Sequence, residues 1–126
     1  MNVLRWMCFC YLFITYSCST SDYLHDLGDD YILISESNAN QFISGPNDTT
    51  GNGLIPCTVE RFEYDNAYII AKQKDNPDCL PREDYASKEV KYWIIHKEKQ
   101  VVYGPFDWET FMRKRDELGV SLSIGK

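Results

Sequence analysis

Short apolar runs alternate with polar, turn-forming stretches along most of the chain. The runs Tyr31–Ser35 and Gln41–Ser44 are rich in β-branched and aromatic residues, and they predict two short strands. The segment after them, "GPNDTTGNG" from Gly45 to Gly53, consists almost entirely of residues that favour turns. It predicts an exposed loop.

Two pairs of β-rich runs follow, and each pair flanks a short polar turn. The first pair is Leu54–Tyr64 and Ala67–Gln73, joined by Asp65-Asn66; the second is Lys91–His96 and Val101–Tyr103, joined by residues 97–100. This arrangement predicts two β-hairpins. Residues 92–95 are apolar at successive positions, which indicates a strand in the middle of the sheet that is covered on both faces.

The last strong local pattern is a helix. Asp107 is a suitable N-cap, Phe106 and Phe111 occupy the two positions of a hydrophobic staple, and Gly119 fits the left-handed C′ position. The alternation that follows predicts a final short strand at Val120, Leu122 and Ile124. Strands followed by one helix predict an α+β, mainly β fold, in which a C-terminal helix packs on an antiparallel β-meander sheet.

The chain begins with a pattern typical of an export signal. The apolar run Trp6–Tyr16 has about half of the roughly 20 residues that a membrane-spanning helix needs, and it has the size of a signal-peptide core. Arg5 precedes it, and the chain is polar after Cys18. We predict that residues 1–17 are a signal peptide. The stretch ending at Ser17-Cys18 resembles a bacterial lipobox, which implies lipidation of Cys18; the alternative is ordinary cleavage after Ser19.

This interpretation divides the rest of the chain and accounts for its cysteines. Residues 18–30 are predicted to be a lipidated cysteine and tether, and residues 31–126 a single β-rich domain. Cys57 and Cys79 remain in that domain, and in an exported protein they predict a disulfide; two free buried thiols are the alternative.

Acidic residues are concentrated in the N-terminal half. The stretch 22–65 contains nine acidic residues and only one basic residue, Arg61. Nucleic acid is therefore excluded as a partner, because phosphates would be repelled. A docking surface for a cationic partner is one interpretation and an ordinary solvated face is the other. The candidate contact residues are Asp29, Asp30, Glu60, Glu63, Trp93 and Trp108, although the two tryptophans also suit a core.

Few residues suggest catalysis. The histidines are His25, in the predicted tether, and His96, at a strand end, and no close cysteine or histidine spacing indicates a metal site. We expect no cofactor and no metal. Thr49, in "NDTT", fits a bacterial O-glycosylation acceptor by resemblance and also ends a formal N-glycosylation sequon, although so short a string often occurs by chance.

Three motifs carry a family resemblance: "AYIIAKQ" (67–73), "YWIIHK" (92–97) and "VYGPFDWETFMRKRDELGV" (102–120). In this order, behind a leader that ends in cysteine, they resemble a family of small uncharacterised bacterial lipoproteins. His96 departs from the acidic residue that usually follows "YWII". The resemblance implies an envelope location and supports the fold, and it supplies no catalytic residues.

The predicted function follows from the leader, the missing catalytic set and this resemblance. We expect a non-enzymatic, lipid-anchored protein of the bacterial cell envelope, facing the periplasm or the exterior, that binds an envelope protein. The alternative is a small acidic periplasmic inhibitor or immunity protein against a cationic enzyme such as a lysozyme. A hydrolase is a third hypothesis. The sequence identifies neither the partner nor the oligomeric state.

Overall fold

A computed structural model describes residues 23–37, 39–51, 53–76 and 89–126. These residues form seven strands and one helix: β1 (Tyr23–Gly28), β2 (Tyr31–Ser37), β3 (Asn40–Ser44), β4 (Val59–Tyr64), β5 (Tyr68–Lys74), β6 (Val90–His96), β7 (Val101–Phe106) and α1 (Trp108–Leu118). All neighbouring strands pair antiparallel. The predicted α+β, mainly β class with one C-terminal helix is confirmed. The predicted signal peptide, Cys18 and Cys79 lie outside the described residues.

The first sheet has three strands in the order β1-β2-β3. Its strand β1 and the turn at Asp29 and Asp30 occupy residues 23–30, which the sequence assigned to the tether. The carboxylates at 26, 29 and 30 hide the strand pattern in the sequence. Leu27 is nevertheless fully buried between the sheets, and this burial holds β1 in place.

The second sheet has four strands in the order β4-β5-β6-β7, and it contains both predicted hairpins. The first of these strands begins at Val59, five residues later than predicted. Before it, Ile55 forms an isolated bridge with Ile43 at the edge of β3. Pro56 follows that bridge and has no N–H to donate, so a continuous ladder is interrupted there.

The second sheet is the middle layer of three. One core lies between the two sheets and contains Leu33, Ile43 and Ile95. The other lies between the second sheet and the helix and contains Ile94 and Phe111. Adjacent residues of β6 therefore enter different cores, as the apolar run at 92–95 predicted.

The helix has the predicted caps. The Asp107 carboxylate accepts a hydrogen bond from the Thr110 amide at 2.8 Å, and Gly119 adopts φ 70°. The final strand predicted at Val120, Leu122 and Ile124 is wrong, because residues 120–126 pair with no strand. The alternation arises instead because these three side chains pack into the core between the second sheet and the helix. Within the described residues, no helix is long and apolar enough to cross a membrane.

Candidate contact surface

The four predicted contact carboxylates are exposed, but they belong to different sheets. Asp29 and Asp30 form the β1–β2 turn, whereas Glu60 and Glu63 lie on β4, the edge strand of the second sheet. Glu60 also lies 3.9 Å from the Lys72 ammonium, which partly balances its charge. The predicted acidic surface is therefore strongest on the first sheet.

The two predicted contact tryptophans pack against the cores. Trp93 lies against the core between the sheets, and its indole N–H donates to Gln73 Oε1 at 2.8 Å. The Trp108 ring packs at a centroid distance of 5.1 Å from Tyr92 and 5.8 Å from Phe111. These contacts favour the core interpretation of both residues.

Cys57 lies beside a buried polar network. The amide nitrogen of Gln73 donates to the Cys57 carbonyl at 3.4 Å and to the Asp75 carboxylate at 3.0 Å. The other Asp75 oxygen forms an ion pair with Lys91 at 2.9 Å. The Gln73 side-chain oxygen also accepts the hydrogen bond from the Trp93 indole, so both the nitrogen and the oxygen of this amide are engaged. The network joins the segment just before β4 to β5 and β6.

The two histidines serve as packing and hydrogen-bonding groups. His25 Nε2 lies 3.2 Å from the Tyr64 hydroxyl, and its ring meets Phe62 edge-on. His96 Nδ1 accepts a hydrogen bond from the Lys99 amide at 3.2 Å, and the His96 ring packs against the Tyr68 ring. Among the described residues, no group of three or more histidine, cysteine or acidic side chains is arranged to hold a metal ion.

Asp48 organises the described part of the loop, residues 45–51 and 53. Its carboxylate accepts hydrogen bonds from the side chains of Ser44 and Thr50 and from the backbone amides of Thr50, Gly51 and Gly53. Burial raises its pKa, but these donors outweigh that effect and hold the pKa below the ordinary value of 3.8. The loop thus presents Thr49, the predicted acceptor of glycosylation, in an exposed position on an ordered turn.

The lowered pKa of Asp48 predicts an acid-dependent loss of stability. Its contribution is present above the unfolded-state pKa and is lost as the pH falls through the folded-state pKa. We expect Asp48→Asn to be less stable than wild type at pH 7, and this difference to shrink on acidification below about pH 4. Urea midpoints measured across this range test it. Glu98→Gln, in the exposed β6–β7 turn, is the control; a difference that stays constant with pH contradicts the assignment.

Sequence reasoning missed Lys97, which joins the two sheets. Its side chain is 4 % exposed, and its ammonium donates to the carbonyls of Leu27 and Asp65 and lies 5.4 Å from the centre of the Tyr64 ring. The sequence placed Lys97 in a polar turn. The sequence did contain a sign of its burial. Lys97 follows Ile95 by two residues, and side chains two residues apart on an extended chain lie on the same face, which here is the face toward the first sheet.

An open groove lies between β4 and the C-terminal segment. It has a volume of about 400 Å³ and is lined by Glu60, Arg61, Phe62, Glu63 and residues 123–125. Its charged side chains are two carboxylates and one guanidinium. This mixture does not indicate one class of ligand.

The first sheet has an apolar outer face that no described helix or strand covers. Leu24 is directly opposite Ile34, and Ile34 is directly opposite Phe42, so the three side chains form one row across β1, β2 and β3. None of them belongs to either core. Leu24 is 69 % exposed, while Ile34 and Phe42 are half-buried. We call this row with the adjacent Ile32 the outer face.

The surroundings of the outer face are acidic. Asp26 and Glu36 flank it along β1 and β2, and the β1–β2 turn adds Asp29 and Asp30. The sequence from 23 to 53 contains five carboxylates and no lysine or arginine. Exposed apolar residues with a polar rim are typical of a surface that binds another protein.

A comparison with family models matches residues 28–125. The chain belongs to the family described as "Protein of unknown function (DUF3997)". No curated protein matches the chain, and no solved structure matches it either. The match begins at Gly28, the last residue of β1, and covers β2 to β7 and the helix, so the family corresponds to the three-layer unit without the rest of β1.

Proposed function

We propose that this protein is a lipid-anchored protein of the bacterial cell envelope that acts by binding another protein and not by catalysis. The observation that carries this proposal is the first sheet, whose outer face is apolar, covered by no described helix or strand, and flanked by carboxylates on β1, β2 and their turn. The leader-like residues 1–17 and the lipobox-like Cys18 support the envelope location. With lipid on Cys18, β1 would begin five residues from the bilayer.

The intact mass of the protein from native membranes tests the anchoring. We expect an N-terminal Cys18 that carries diacylglycerol, and a gain of two hydrogen atoms on reduction if Cys57 and Cys79 are bonded as we propose. Additional hexose mass would indicate glycosylation, for which Thr49 is the predicted acceptor. A chain that begins at Thr20 or still begins at Met1 contradicts the anchor.

A soluble inhibitor of a cationic enzyme is the second candidate, and the acidic first sheet favours it. Hen lysozyme serves as a basic test enzyme. Under this hypothesis, wild type binds it with an affinity that falls steeply with salt, and the joint substitution of Asp29 and Asp30 by Asn weakens binding by at least about tenfold.

A matched control separates a surface effect from a net-charge effect. Joint substitution of Glu98 and Glu117 by Gln removes the same charge from exposed positions elsewhere, in the β6–β7 turn and on α1. This variant is expected to bind as wild type does. Equal losses in both double variants, or no binding by wild type, contradict the inhibitor hypothesis for this class of enzyme.

A further inference from the structure

β1 is an edge strand of the first sheet, and its free edge borders the outer face. β1 pairs with β2 on one side, and no described strand pairs with its other side. Such an edge presents backbone N–H and C=O groups at alternate residues, and an extended segment of another chain can add to it as a further strand. Leu24 and Tyr23, 69 % and 48 % exposed, lie on this edge.

Charge decides what kind of chain fits. On the outer face, Leu24 is followed two residues later by Asp26 along β1. In a strand added beside β1, every second side chain lies on the outer face. One of these side chains is next to Leu24, and the following one is next to Asp26. Valine or isoleucine suits the first position, and lysine or arginine suits the second.

The same charge argues against a second copy of this chain. Pairing β1 with the β1 of another copy would bring together two sheets that each carry Asp26, Asp29, Asp30 and Glu36. No lysine or arginine between residues 23 and 53 would compensate. Like charges on adjacent strands are destabilising, so a cationic partner is favoured over self-association.

We infer that β1 and the outer face bind an extended segment of a partner protein, in which apolar and basic residues appear on the same face of the added strand. This inference rests on the proposed function, since it names the surface and the class of partner. The added strand would extend the first sheet from three strands to four. Its apolar side chains would cover Leu24 and continue the row of Ile34 and Phe42.

A synthetic peptide tests the inference with the full lipidated chain in detergent micelles. The probe has about eight residues, an ordinary strand length, and on one face it alternates valine with lysine, with threonine at the positions between them. A control peptide has the same composition, but its lysines and its valines are grouped in separate blocks. We expect the alternating peptide to bind at least about tenfold more tightly than the block peptide.

Two matched variants locate the binding. Leu24→Lys places a cation on the free edge, and we expect it to weaken binding of the alternating peptide by at least about tenfold. Val101→Lys makes the same exchange at an exposed residue of β7, the edge strand of the other sheet, and we expect wild-type binding. Leu24 is mostly exposed, so both variants are expected to keep the wild-type urea midpoint.

Three results would overturn the inference. The first is equal binding of the alternating and block peptides, which means charge attraction without strand addition. The second is wild-type binding by Leu24→Lys. The third is a wild-type dimer in sedimentation velocity that Leu24→Lys dissociates, which assigns the edge to a second copy. Peptide binding does not depend on the lipid, so an unlipidated native chain defeats the proposed anchoring without deciding this test.

Discussion

Phe111→Ala is expected to lower the free energy of unfolding by about 3–5 kcal/mol, the usual cost of truncating a buried phenylalanine. Phe111 is fully buried, and it is the one buried residue of α1. Its ring stacks on Tyr92 of β6 at a centroid distance of 5.1 Å and also packs against Trp108. Removing the ring leaves a cavity between the helix and the second sheet. Urea unfolding followed by tryptophan fluorescence measures the loss.

Arg113→Ala is the matched control, because it lies two residues along the same helix and is exposed. Because alanine favours helix, the free energy of unfolding of Arg113→Ala is expected to remain within about 0.5 kcal/mol of the wild-type value. A loss below about 1 kcal/mol for Phe111→Ala would mean that the second core collapses around the gap or that α1 is not held by this ring.

The helix was predictable because its signals are local. An N-cap, a staple and a C′ glycine lie within a few residues of one another, and Asp107 and Gly119 adopt the capping geometry that their sequence positions require. The two hairpins were predictable for the same reason. The turn residue Asp65, for example, accepts from the amides of Ala67 and Tyr68.

The elements that sequence reasoning missed depend on distant partners. β1 is a strand because Leu27 fills a core whose members extend as far along the chain as Ile95, while its own carboxylates resemble a solvated tether. The segment after α1 shows the opposite error. Its alternation is real, but the alternate residues pack against the core between the second sheet and the helix, and residues 120–126 form no strand pairing.

The candidate surface was predictable only in its charge. Composition identified the acidic half of the chain, and Asp29 and Asp30 are exposed in the β1–β2 turn. The apolar row across Leu24, Ile34 and Phe42 could not be found in the same way, because it depends on the register of two strand pairs. Trp93 and Trp108 were candidate contact residues because large aromatic side chains often anchor interfaces. A chain of this size also needs such side chains to fill its cores.

Lys97→Met is expected to lower the free energy of unfolding by about 2–4 kcal/mol. Methionine fills a similar volume but donates no hydrogen bond, so the carbonyls of Leu27 and Asp65 lose the ammonium that satisfies them. Hydrogen bonds to a charged donor are stronger than neutral ones, and buried carbonyls without a partner are costly. The variant also loses the ammonium that lies over the Tyr64 ring.

The location of the damage distinguishes this prediction from a general loss of stability. The Lys97 ammonium ties the end of β1 to the β4–β5 turn, so amide hydrogen exchange in Lys97→Met is expected to accelerate most in residues 23–28. Lys99→Met removes an exposed lysine from the β6–β7 turn, which also contains Lys97. We expect this control to change neither the free energy of unfolding nor the amide exchange appreciably. Unchanged exchange in β1 of Lys97→Met would show that Leu27 and its neighbours hold this strand without the ammonium. In that case Lys97 would not be the group that fixes the proposed docking edge against the second sheet.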